Sequence, residues 1–203
     1  MCIRDRSIDE INQEEIEFYN SHHFKELLNL SSGVWISRGS GQESLISLRS
    51  PVLTGSGACG SFQILEDGIP IRPAGFCNVN NLFEVSGNLA SEIEVVKGPS
   101  SSMFGGNALH GVINIQTLKT EGDNKFILET DKNESLRSTI FLRMFSNKII
   151  ALDLDRDKGF RDQSGFDQQK LVFKNFSQSK DWSFNTSINS VSYTHLRAHE
   201  TSR

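Results

Sequence analysis

Apolar residues in the first 117 positions come in short clusters, and the spacing changes from cluster to cluster. Asn12-Gln13-Glu14-Glu15 sets a capping residue three positions before an acid, which predicts a helix start. Phe24, Leu27 and Leu28 follow at helical spacing, with Ser21 as the expected cap and Gly33 as the expected stop. Val34-Trp35-Ile36 and Leu45-Ile46-Ser47-Leu48 read as strands, and the apolar helix face is expected to cover a small sheet. His22 and His23 are expected on the solvated side of that helix. Phe62 to Leu65 is a further strand, and Glu66-Asp67-Gly68-Ile69-Pro70-Ile71 predicts a hairpin, since Asp-Gly between apolar runs favours a type I′ turn. Asn80 to Glu84 reads as a short helix. Ile93, Val95 and Val96 then give a strand that Gly98-Pro99 stops, because proline has no ladder donor. A Gly/Ser-rich crossing follows, in which Gly105-Gly106 and Gly111 allow positive φ or close backbone approach. Val112, Ile113 and Ile115 resume a strand.

After Lys119 the period becomes two. Ile140, Leu142 and Met144 alternate with Thr139, Phe141 and Arg143. Ile150, Leu152 and Leu154 alternate with Ala151, Asp153 and Asp155, and Trp182, Phe184, Thr186 and Ile188 with Ser183, Asn185, Ser187 and Asn189. Such alternation predicts strands with one apolar face, separated by polar turns at Asp131 to Ser135 and Ser179 to Asp181. A soluble sandwich and a transmembrane barrel both alternate in this way.

Composition bounds the picture. The 203 residues carry a formal net charge of −4 and are 36% hydrophobic, enough for one domain and part of a second. The mildly acidic balance gives no electrostatic footprint for nucleic acid. No apolar run approaches the roughly 18 residues of a spanning helix, which leaves β-barrel strands open. Met1-Cys-Ile-Arg-Asp-Arg6 and Val191 to Arg203 resemble translated adapter sequence. Residues 1–7 and 191–203 are therefore set aside from fold reasoning. On that reading the chain is a fragment cut at both ends, with no signal peptide in it.

The stretch Glu92 to Thr117 resembles the signature that closes the plug domain of TonB-dependent outer-membrane receptors. That signature runs from a strand into Arg-Gly-Pro, a small residue, Leu-Tyr-Gly, and Gly-Gly-Val-Ile-Asn-Ile. The matching motif residues are Gly98, Pro99, Gly105, Gly111 and Asn114, while Lys97 stands for the arginine, Phe104 for the tyrosine and His110 for a glycine. Arg49-Ser50-Pro51 and Asp67-Gly68-Ile69-Pro70 resemble two further segments of the family. The resemblance implies an α+β plug over 8–118, a small mixed sheet with short helices. The first antiparallel strands of an outer-membrane β-barrel, about five, follow over 119–190. It implies plug-gated uptake of a siderophore, vitamin or carbohydrate, driven by TonB and its inner-membrane complex through an N-terminal box that this chain does not display. The partners it implies are that complex, outer-membrane lipid and a small-molecule or metal-chelate ligand, with no cofactor.

In family topology three outward loops, Pro51–Gly60, Arg72–Val79 and Met103–Asn107, face the ligand. Arg72, Phe76, Asn78, Met103 and Phe104 are the ligand-site expectations, with Arg72 a bidentate donor to an anion or a plain surface arginine. Arg49, Glu92, Glu94 and Lys97 are expected as reversible contacts to the lumen wall, or else as a solvated face. Cys59 and Cys77 lie in two of the loops. They form either a disulfide, worth about 3 kcal/mol, or two free thiols. Asp157 to Asp167 becomes an extracellular loop if the first strand starts from the periplasm.

Two other motifs are set aside. Gly55-Ser-Gly57-Ala-Cys-Gly60 fits the dinucleotide fingerprint formally, but Pro51 precedes it and a strand follows where a helix is needed. His195 and His199 are four apart, yet their order is not His-Glu-x-x-His and they fall in the set-aside tail, so no metal site is expected. No spacing of nucleophile and base predicts catalysis. A soluble periplasmic binding module is the alternative to transport.

Overall fold

The computed structural model describes residues 7–38, 44–50, 61–71, 84–85, 87–119, 122–132, 135–144, 147–159, 164–180 and 182–195. The chain divides into two compact units, residues 1–117 and 118–203.

The first unit is built on a mixed sheet in the order β1-β6-β7-β4-β5. Its strands are β1 (Ser7–Ile11), β4 (Phe62–Glu66), β5 (Ile69–Pro70), β6 (Ala90–Lys97) and β7 (Gly111–Thr117). β4 runs parallel to β7, and the other pairs are antiparallel. β2 (Val34–Arg38) and β3 (Ser44–Leu48) form a separate antiparallel pair. One face of the mixed sheet contributes Ile11, Ile64, Ile93, Val95, Ile113 and Ile115 to the main core. Ile16 of α1 (Gln13–Tyr19), Phe24, Leu27 and Leu28 of α2 (Phe24–Leu28), Val34, Ile36, Ile46 and Leu48 of the β2–β3 pair, and Val85 and Ala90 join it. A second cluster of Leu65, Val96, Ala108 and Val112 draws Phe104 against it.

Local signals explain several boundaries. Asn12 caps α1 through a capping box, in which its side chain accepts from Glu15 N–H and Glu15 accepts from Asn12 N–H, both at 3.0 Å. Asp67 and Gly68 join β4 to β5 with φ of 52° and 79°, the two positive values a type I′ turn requires.

Three expectations are corrected. The cap of α2 is His23, whose Nδ1 accepts from Lys25 N–H at 3.0 Å, rather than Ser21. His23 is therefore buried instead of solvated, with Nε2 3.3 Å from Ser44 Oγ, while His22 is exposed. The helix ends at Leu28, and Gly33 belongs to the turn into β2, where its carbonyl accepts from Arg49 N–H at 2.9 Å. The helix expected over Asn80 to Glu84 falls mostly outside the described residues.

The second unit is an antiparallel meander in the order β12-β11-β10-β9-β8. Its strands are β8 (Lys125–Thr130), β9 (Leu136–Met144), β10 (Lys148–Asp157), β11 (Phe166–Gln178) and β12 (Ser183–His195). The polar turns close as expected, with Asp131 N–H on Ser135 O and Ser179 N–H on Trp182 O. Strand pairing enters both set-aside segments. Ser7 pairs with Lys97, and Val191 to His195 continue the β11–β12 ladder.

Candidate functional site

The crossing from β6 to β7 is a built loop. Gly98 N–H donates to His110 O and Ser100 N–H to Ala108 O, each at 2.8 Å, so the ladder continues two rungs past the strand end. A single helical turn, α3 (Ser101–Phe104), closes on Gly105, whose N–H donates to Ser101 O at 3.0 Å. His110 N–H then reaches Ser61 O at 2.9 Å and ties the crossing to the start of β4. Met103 and Leu109 stand exposed on this loop. Phe104 is half-buried and packs against the second apolar cluster, which anchors the loop.

Gly111 is the tightest point. A Cβ there would overlap the Val96 carbonyl oxygen and come within 2.6 Å of Leu48 Cδ2. Only glycine lets β7 lie this close to β6 and to the β2–β3 pair. Gly106, by contrast, has open space around it and no positive φ.

The Asp67-Gly68 turn is clamped to β7. Asp67 accepts from Thr117 N–H at 2.9 Å and from the Thr117 hydroxyl at 3.1 Å. Gly68 N–H donates to Asn114 Oδ1, and Asn114 Nδ2 donates to Glu94, both at 3.0 Å. Three segments that are distant in sequence thus share one hydrogen-bonded knot at the end of the sheet.

Lys97 closes the opposite end of β6 in a way the sequence reading did not foresee. Its side chain is 1% exposed, and its ammonium pairs with Asp9 and donates to Ser32 Oγ at 2.8 Å. Asp9 also accepts from Ser31 Oγ at 2.6 Å. The Lys97 hydrogen bond, with help from Ser31, holds the Asp9 carboxyl below its ordinary range. Within this unit the Lys97 ammonium is thus taken up by Asp9 and Ser32. Arg49, exposed with φ of 45°, and half-buried Glu92 and Glu94 lie apart from that pair. Arg72, Phe76, Asn78, Cys59, Cys77 and the Gly55–Gly60 loop lie outside the described residues; a strand does follow that loop at Phe62.

The second unit sorts its side chains in an unusual direction. Arg137, Thr139, Asp153, Asp155, Gln168, Lys170 and Lys174 share one face by register and are all buried. On it Arg137 lies 3.4 Å from Glu129 and 3.8 Å from Asp155, and Thr139 donates to Asp153 at 2.8 Å. The opposite face carries Phe126, Leu128, Leu142, Met144, Leu154, Leu171, Phe184 and Ile188, all exposed. Lys148, Arg156 and Asp167, the charged residues on that face of β10 and β11, stand at or next to the strand ends. Alternation was legible in the sequence, but which side lies away from solvent was not.

The chain matches the TonB-dependent Receptor Plug Domain family over residues 5–112, more than half its length. Its fold is similar to that of several solved receptors. For the ferric yersiniabactin uptake receptor FyuA from Yersinia pestis the identity is 17% and the TM-score 0.64, covering 93% of this chain and 31% of that one. For the siderophore receptor PirA from Acinetobacter baumannii the values are 19% and 0.66, covering 92% and 31%. For the hemophore receptor HasR of Serratia marcescens, solved with its hemophore and heme, they are 15% and 0.71, covering 93% and 32%. The chain thus spans about a third of the length of these receptors. A mixed-sheet plug with short helices, followed by antiparallel strands, is the arrangement they share with it. The chain belongs to the TonB-dependent receptor plug-domain family.

Proposed function

We propose that the whole protein is an outer-membrane receptor that takes up a scarce ligand, with the plug gating a barrel opened by residues 125–195. The inverted sorting of β8 to β12 carries this reading. Charged side chains are withdrawn from water while leucine, phenylalanine and isoleucine face outward. In water that pattern would cost stability on both faces; against hydrocarbon it is favourable on the outer one. A barrel wide enough for such a ligand needs a stopper, and a stopper that moves needs reversible polar contacts. Arg49, Glu92 and Glu94 remain candidates for those contacts.

The ligand is a siderophore, vitamin or carbohydrate; the names of two similar receptors specify ferric yersiniabactin uptake and a hemophore. Met103 offers exposed apolar surface to it, Phe104 supports that surface, and Arg72, Phe76 and Asn78 complete the proposed contacts. A Cys59–Cys77 disulfide would pre-organise two of the loops; intact-mass measurement after alkylation, with and without reductant, tests it. Uptake draws on TonB through a segment N-terminal to this chain. The deciding experiment fractionates cells that express the complete gene and measures uptake of labelled ferric chelates, cobalamin and oligosaccharides with and without TonB. A product found in the soluble fraction would instead favour a periplasmic binding module.

A further inference from the structure

We propose that Arg143 is a positioning residue that fastens Lys119, Asp123 and Asn124, a connector at the start of the second unit, to the strand sheet. Before the connector, Thr117 is held by both oxygens of Asp67. After Leu118, Lys119, Asp123 and Asn124 all bond to Arg143. Arg143 Nη1 donates to Asp123 O and Nη2 to Lys119 O at 3.5 Å, while Arg143 N–H donates to Asn124 Oδ1 at 2.7 Å. Gly122 has φ of 110°, and a Cβ there would come 3.3 Å from Nη2, so the chain passes close over the guanidinium. Leu118 itself is buried with φ of 50°, a left-handed conformation that a leucine adopts only at a cost. A planar fork with two donating ends suits this task, because it bridges two carbonyls at once where an ammonium offers a single point.

The fastening goes beyond the transport reading and does not depend on it. The test is the rate of tryptic cleavage after exposed Lys119 in the full-length folded receptor, in whichever cell fraction holds it. Heat-modifiable migration or a melting curve verifies that each variant is folded. Arg143→Met is expected to be cleaved about tenfold faster than the parent, because cleavage tracks the population in which the connector is open. Arg143→Lys should be cleaved nearly as fast as Arg143→Met, since charge without the fork does not bridge the carbonyls. Should Arg143→Met fail to fold, Gly122→Ala keeps the arginine and is expected to release the connector by displacing the chain. Parent-like cleavage in the folded variants, or full rescue by lysine, would overturn the assignment.

Discussion

Replacing Gly111 with alanine tests whether strand packing or mere backbone freedom fixes the end of the β6–β7 crossing. The new methyl would overlap the Val96 carbonyl oxygen and sit 2.6 Å from Leu48 Cδ2, where the second apolar cluster meets a main-core residue. Overpacking of this kind costs about 1–3 kcal/mol. A φ of 151° is reached readily only without a Cβ, which adds about 1–3 kcal/mol. The sum, about 2–6 kcal/mol, is a large share of the stability of many domains. Gly105→Ala is the control, because Gly105 has φ of 93° but nothing within 4 Å of an added Cβ. It should lose only the backbone part, about 1–3 kcal/mol. Urea unfolding of residues 1–117, followed by far-UV circular dichroism, separates the two. With an m-value of about 1.5 kcal/mol/M, Gly111→Ala should lower the midpoint by about 1.3–4 M and Gly105→Ala by about 0.7–2 M, so the difference between them reads the close-packing part. Equal midpoints for the two variants would refute the close-packing argument.

Asp67→Ala strands the Thr117 N–H and hydroxyl and should cost about 1–3 kcal/mol in the same urea assay. Asp67→Asn keeps an acceptor and tolerates the left-handed turn, so it should cost less than half as much. The Asp9 carboxyl is held low in the folded unit, so its stabilisation is present above about pH 4 and is lost as pH falls through the folded value. Lys97→Met should remove that acid limb from melting temperatures measured between about pH 6 and pH 3; parallel curves for parent and variant would count against the pair. Leu171→Arg, in the middle of the exposed apolar face, should cost about 2–4 kcal/mol of folding stability in lipid bilayers. On a water-facing surface it would stay within about 0.5 kcal/mol, so a near-neutral result argues against lipid contact.

The sequence by itself determined those features whose signals are complete within a few residues. The Asn12–Glu15 capping box, the Asp67-Gly68 turn, the stop at Gly98-Pro99 and the alternation in β9, β10 and β12 all fall in this class. So does the family resemblance, because its motif lies within one continuous stretch, Glu92 to Thr117, despite the replacements at Lys97, Phe104 and His110. Tertiary structure decided whatever depends on a distant partner. β1 holds only Ile8 and Ile11 as apolar residues, at a spacing that mimics a helix, and becomes a strand by pairing with β6. β11 was illegible because Gln168, Lys170 and Lys174 occupy its buried face, where a reading of apolar-in, polar-out expects the reverse. β8 packs Phe126, Ile127 and Leu128 consecutively and shows no alternation at all. Lys97 and His23 look like surface residues until Asp9, 88 positions away, and Ser44, 21 positions away, are brought beside them. Local signals fix turns, caps and strand period because backbone geometry and hydrogen bonding act over one to four residues. The destination of a charge or ring nitrogen depends on which distant group satisfies it once water is removed, and only the folded chain supplies that group.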